Sequence, residues 1–139
     1  MNTLKKSIAL FTAVLLTLFF VGCAEKHDEY DDFKPVGVYI IDRIGDEKYE
    51  TDIDNADYAQ KMLDEFKKLN IDTDVEGEMG SAYLYMRFYD ENEDTFLIFT
   101  IYENGSCCLG EDYEDFYKVT DGRQKYIDLC DLYSSFEEK

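Results

Sequence analysis

One histidine, His27, is all the imidazole in this chain, and it lies outside the stretch that reads as folded. Ser81, Ser106, Ser134 and Ser135 therefore have no base to activate them, and no Gly-x-Ser-x-Gly elbow is present. Cys107 and Cys108 lack the same partner for nucleophilic work. They are adjacent rather than spaced as Cys-x-x-Cys, so a zinc or dithiol site also lacks its pattern. Basic residues are scarce as well: 14 Lys and Arg stand against 32 Asp and Glu, a formal net charge of −18. A chain so charged is repelled by phosphate backbones, which argues against nucleic-acid binding.

The abundant acids point instead to cationic partners: a basic peptide, a basic protein patch or a divalent metal. Acidity of this degree also serves solubility alone. For calcium, Asp72-x-Asp74-x-Glu76-Gly77 begins like an EF-hand loop, but Tyr83 holds the twelfth position, where a bidentate acid is required. Asp52-x-Asp54 meets Ala56 at the fifth position, and Asp90-x-Asn92-x-Asp94 lacks the following glycine. No metal site is assigned, which leaves weak calcium binding by acidic loops open. Paired carboxylates for glycoside hydrolysis carry no signal, because 32 acids always supply pairs. No catalytic residue and no cofactor is expected.

The N-terminus is organised like an export signal. Lys5 and Lys6 precede an apolar run from Ile8 to Val21 that is shorter than the roughly 17–25 residues of a membrane span. No acid occurs before Glu25. The run ends in Phe20-Val21-Gly22-Cys23, which resembles the lipobox of bacterial lipoproteins, with Phe20 where leucine is usual. The resemblance implies that Gly22 is the small residue before the cut and that Cys23 is acylated. It places the protein on the extracytoplasmic side of a cell membrane, since two or more acyl chains anchor stably where one does not. Cleavage after Ala24 by an ordinary signal peptidase, and an uncleaved anchor, are the competing readings. Residues 23–34 then read as a lipid-attached acidic tether, and 35–139 as the domain.

Removing residues 1–22 leaves enough chain for one modest domain, and a more acidic one, since that segment holds two lysines and no acid. All 12 tyrosines and most of the phenylalanines follow Cys23, an aromatic content that disordered segments lack. The remaining cysteines, Cys107, Cys108 and Cys130, read as structural. They allow one disulfide with a leftover thiol, or buried free thiols. A bond from Cys107 or Cys108 to Cys130 is not favoured, because disulfide geometry is demanding.

Along the domain, Val36–Asp42 reads as a strand, and Gly45-Asp46 turns the chain into a short second strand, Lys48–Ile53. Asp54, with Asp57 three residues on, caps a helix whose apolar stripe is Tyr58, Ala59, Met62, Leu63, Phe66 and Leu69. Asn70 suits a left-handed C-cap. Strands follow at Ala82–Tyr89, Phe96–Tyr102, Cys107–Leu109 and Asp115–Val119, with Asn104-Gly105 as the hairpin signal. A last helix starts near Thr120 or Asp121 and turns Tyr126, Leu129, Cys130, Tyr133 and Phe136 inward. The order ββ-α-ββββ-α predicts an α+β fold, a single antiparallel sheet with two helices packed on one face.

Ile101-Tyr102-Glu103-Asn104-Gly105 and Phe116-Tyr117-Lys118-Val119 resemble segments of small uncharacterised lipoproteins of Gram-positive bacteria. The element order also resembles one half of the TATA-binding-protein-like fold. Fold alone hands over no function.

In the strand from Ala82, one side carries Leu84, Met86 and Phe88, and the other Tyr83, Tyr85, Arg87 and Tyr89. The first side should meet the helices, leaving the Tyr/Arg side as the open face, with Tyr102 beside it. Tyr and Arg are the residues of binding hot spots, although tyrosine also suits exposed strands by propensity alone. The expectation is a membrane-anchored, non-enzymatic domain that binds a cationic peptide or protein through Tyr83, Tyr85, Arg87, Tyr89 and Tyr102. An immunity-type protein that sequesters a basic toxin is one concrete version. The alternative is an envelope enzyme or accessory using acidic residues, and clustering of acids in a hollow would discriminate. Replacing Cys23 by Ala should release the protein from the membrane fraction or leave it unprocessed; normal processing with unchanged membrane association would refute lipidation.

Overall fold

The computed structural model describes residues 30–111 and 113–137; the signal-like segment and Cys23 lie outside them. The elements are β1 (Gly37–Ile44), β2 (Glu47–Ile53), α1 (Ala56–Lys67), β3 (Ile71–Glu76), β4 (Tyr83–Tyr89), β5 (Thr95–Tyr102), β6 (Ser106–Leu109), β7 (Phe116–Val119) and α2 (Gly122–Glu137). They build one antiparallel sheet of seven strands in the order β2-β1-β4-β5-β6-β7-β3, with both helices on the same face. The α+β expectation holds.

Register explains the division of residues. Leu84, Met86 and Phe88 sit opposite Ile101, Phe99 and Leu97 of β5, and opposite Asp42, Ile40 and Val38 of β1. With Met62, Leu63 and Phe66 of α1 and Leu129 and Tyr133 of α2, their apolar members form the buried core. Phe66 meets Phe99 edge-on at 4.8 Å, and Tyr58 of α1 meets Phe136 of α2 at 4.5 Å. A hydrogen bond of 2.8 Å between the hydroxyls of Thr51 and Tyr133 ties α2 to β2.

Local details depart from the sequence reading in three places. The cap of α1 is Asn55, not Asp54: its extended backbone lets Oδ1 accept the Tyr58 amide at 3.0 Å. Asp57 falls in the first turn instead, where its charge favours the helix dipole. Asn70 is not a left-handed cap; the helix closes at Lys68 in right-handed geometry, and the Asn70 carbonyl accepts the Thr120 amide at 2.9 Å. The chain thus runs from α1 straight into β3, an edge strand additional to those read from the sequence, which pairs with β7 across an irregular register. Only Ile71 of β3 is buried, so no alternation of apolar residues marks it.

Packing also begins before Pro35. The Tyr30 ring meets Phe66 edge-on at 5.6 Å, Phe33 stacks on Phe96 at 4.8 Å, and Asp31 pairs with Lys67. Residues 30–34 are therefore a strap laid on the domain, and not part of a free tether.

The Asn104-Gly105 turn forms as expected, with Gly105 at φ +86° and its amide bonded to the Tyr102 carbonyl at 3.0 Å. It also seats α2. A Cβ on Gly122 would stand 2.4 Å from the Gly105 carbonyl oxygen and 2.6 Å from its Cα. Backbone meets backbone there, and neither side can yield as a flexible side chain would. Gly122→Ala should therefore lower stability by about 1–3 kcal/mol through overpacking. An unchanged urea midpoint would show that the contact is not tight.

Candidate functional site

The second face of the sheet gathers the aromatic residues singled out in the sequence. Pairing puts Tyr83 opposite Tyr102, Tyr85 opposite Thr100 and Arg87 opposite Ile98. The same register sets Arg43 beside Tyr83 and Tyr39 beside Arg87. Tyr83, Tyr85, Arg87, Tyr89 and Tyr102 thus share one side, and the strand's orientation is as the alternation indicated.

That side is not open. Tyr85 is 7 % exposed and Tyr102 1 %, with Thr100 and Cys108 buried alongside them. The connection after β6 places Tyr113, at φ +49°, near Tyr85 and Tyr102, its own side chain staying 43 % exposed. The rings then close on one another. Tyr83 meets Tyr102 at 5.8 Å, Tyr39 meets Tyr85 at 6.4 Å, and Tyr102 meets Phe116 at 5.9 Å. Arg87 lies 4.9 Å over the Tyr39 ring and Arg43 5.9 Å over Tyr83, so both guanidiniums are engaged as cation–π partners. Burial pushes the Tyr102 phenol up to about 12 and raises Tyr85 and Tyr113. The face is a second, aromatic core with a half-exposed margin of Tyr83, Arg87 and Tyr89.

At that margin lies the feature sequence reasoning did not locate. A hollow of about 520 Å³ opens between the end of β2 and the β4–β5 turn. Asp52 and Asp54 line it from one side, and Asp90, Glu91 and Glu93 from the other. Tyr89 and Arg87 reach it from β4. The Tyr89 hydroxyl donates to Asp52 Oδ1 at 2.8 Å; burial, then this bond, push the phenol up to about 12. Tyr89 can lie there because β1 begins with Gly37, where a Cβ would stand 2.1 Å from the Tyr89 hydroxyl oxygen. The turn is held by Asp90, whose Oδ1 accepts the amides of Asn92 at 2.9 Å and Asp94 at 3.0 Å. The acids are thus carried on braced elements. No group of three or more His, Cys, Asp or Glu among the described residues is arranged to hold a metal ion.

The cysteines occupy separate places. Cys107 points into the helix-side core and Cys108 into the aromatic face. Cys130 sits on α2 near Tyr126 and Asp42, and none of the three is joined in a disulfide. Burial raises Cys107 to about 12 and Cys130 to about 11, so both remain protonated at neutral pH and make poor nucleophiles. Glu103 is a structural acid. Burial alone would raise its pKa, yet hydrogen bonds from the Ser81 amide and hydroxyl and the Ala82 amide, each 2.9 Å, hold it below the usual value.

No family model, curated protein or solved structure matches this chain. Among the described residues no helix is long and apolar enough to cross a membrane.

Substitution separates core from margin on the tyrosine face. Tyr85→Ser should cost about 3–5 kcal/mol, the range for emptying a buried aromatic site, while Tyr83→Ser costs less because its ring is half-exposed. Chemical denaturation of the two variants measures the difference, and equal small losses would mean that the face is open after all.

Proposed function

We propose that the protein is a lipid-anchored extracytoplasmic lipoprotein whose domain binds a cationic peptide or protein without catalysing a reaction. The observation that carries this reading is the acidic hollow: five carboxylates from two braced elements line one concavity of about 520 Å³. A lysine or arginine side chain entering it would find fixed acceptors. The negative chain around it would raise the encounter rate over the Debye length of about 8 Å at physiological salt. Tyr89 borders the hollow with a ring edge for short-range contact, while Arg87, the one cation among its lining residues, is held over the Tyr39 ring; this moves the binding surface from the whole tyrosine face to its margin. The lipobox-like segment supports the anchor.

Clustered acids also suit the second reading, an enzyme or accessory that works through carboxylates. Binding is preferred because the groups beside the acids have structural tasks. Tyr89 is held protonated to about 12 against Asp52, and Arg87 is stacked on Tyr39.

A synthetic oligolysine peptide followed by fluorescence anisotropy tests the reading. Asp54→Asn, Glu91→Gln and Glu93→Gln together should weaken binding at least tenfold at physiological salt. The same loss of charge on β3, through Asp72→Asn, Asp74→Asn and Glu76→Gln, should change it little. Equal effects of the two sets would mean that only net charge acts, and the hollow would be discarded.

A further inference from the structure

We propose that the outer edge of β2 joins a second copy of this chain, antiparallel and about a two-fold axis at Tyr49. The interface is separate from the acidic hollow and does not rest on the function proposed for it. β2 and β3 are the two edges of the sheet, and a sheet edge presents amides and carbonyls to any strand that fits. β3 is guarded. Its register with β7 breaks between Asp72 and Glu76, and Asp72, Asp74 and Glu76 would set acid against acid in any extended antiparallel self-pairing. β2 has no such break: its seven residues run in unbroken register with β1. Glu47, Lys48, Tyr49 and Glu50 are all exposed. On the helix side of this hairpin Ile44 is 58 % exposed and Tyr49 51 %, two large apolar side chains left without cover.

The residues along this edge select both the occupant and the register. Directly opposed residues of antiparallel strands point to the same side of a sheet, so a two-fold pairing of identical strands is centred on a residue. Centred on Glu47, Glu50 or Asp52 it opposes two carboxylates, and on Lys48 two ammonium groups. Centred on Thr51 it sets Glu50 against Asp52. Centred on Tyr49, Lys48 of each copy faces Glu50 of the other, Glu47 faces Thr51, and the two tyrosine rings meet. No like charges are then opposed, and the gains are two opposite-charge pairs and an aromatic pair, the cross-strand contacts that stabilise sheets. A lysine on an edge usually guards it; here the acid two residues on turns the guard into a link. Lys48 and Glu50 already pair within one copy at 2.8 Å, and with side chains 48 % and 49 % exposed each keeps room for a second partner. Net charge keeps copies of so acidic a chain apart, and the locally neutral run Lys48-Tyr49-Glu50 is where they can approach. The contact uses the same strand on both sides, so it closes as a dimer with one continuous sheet.

Sedimentation equilibrium of the purified protein at physiological ionic strength tests this, and a monomer–dimer equilibrium is expected. Lys48→Glu and Glu50→Lys should each weaken it at least tenfold, because each sets like charges opposite at two places. The double variant Lys48→Glu/Glu50→Lys should recover most of that loss, since the charges are exchanged but still complementary. An equimolar mixture of the two single variants should also associate, each supplying the sign that the other lacks. Net charge alone gives a different order: Glu50→Lys makes the chain less negative and would strengthen association. Both positions are exposed, so circular dichroism should show every variant folded. A dimer indifferent to both substitutions, or one that neither the double variant nor the mixture restores, would overturn the proposal. So would a monomer at every concentration, which would leave the edge to a strand of another protein.

Discussion

Two helices of 12 and 16 residues cover one face of a seven-stranded sheet, and the opposite face of the same central strands is left to close by other means. Because side chains alternate along β4, every residue that points away from Leu84, Met86 and Phe88 must find cover or stand in water. Tyrosine answers both demands, with a ring large enough to bury and a hydroxyl that tolerates the margin. The Tyr102 and Tyr85 rings pack against neighbours, and Arg43 and Arg87 lie over the outer rings. The sheet therefore has two cores of different chemistry, aliphatic under the helices and phenolic on the reverse. The second core sets where the binding margin can be, because only its rim reaches solvent.

Charge is arranged with the same economy of position. A chain of −18 repels itself, and the described ion pairs are few and surface-exposed, worth little each. Several acids stabilise the backbone instead: Glu103 holds residues 81 and 82, and Asp90 shapes the β4–β5 turn. Five acids, Asp90 among them, gather in one place. The acidic hollow occupies the end of the sheet where β2 finishes and β4 turns into β5.

Much of the architecture could be read from residue order, since its signals are local. The stripe of α1, the alternation of β4 and the Asn104-Gly105 turn each fix an element and its facing side. β3 escaped because Ile71 is its single buried residue and acids fill the rest; its strand character comes from pairing with β7, a partner some forty residues away. Alternation told which side Tyr85 is on but not that it is buried there, because its ring neighbour Tyr39 comes from a different strand. The candidate sites were less legible still. Asp54 and Glu91 belong to different hairpins, and among 32 acids nothing in their spacing marks a pair that folding will bring to one hollow.

The strap formed by Tyr30 and Phe33 has a geometric consequence for a chain held at Cys23. Tyr30 and Phe33 already pack on the domain, so with an anchor at Cys23 a leash of at most seven residues would separate anchor and domain. Fully extended at about 3.3–3.6 Å per residue, it reaches at most about 25 Å, less than the width of a small domain. The domain would then ride just above the headgroups with a restricted set of orientations. The end bearing Phe33, Phe96 and the β4–β5 turn would be nearest the bilayer, and the start of α2 would project outward. A partner of the acidic hollow would then have to enter the narrow gap over the membrane.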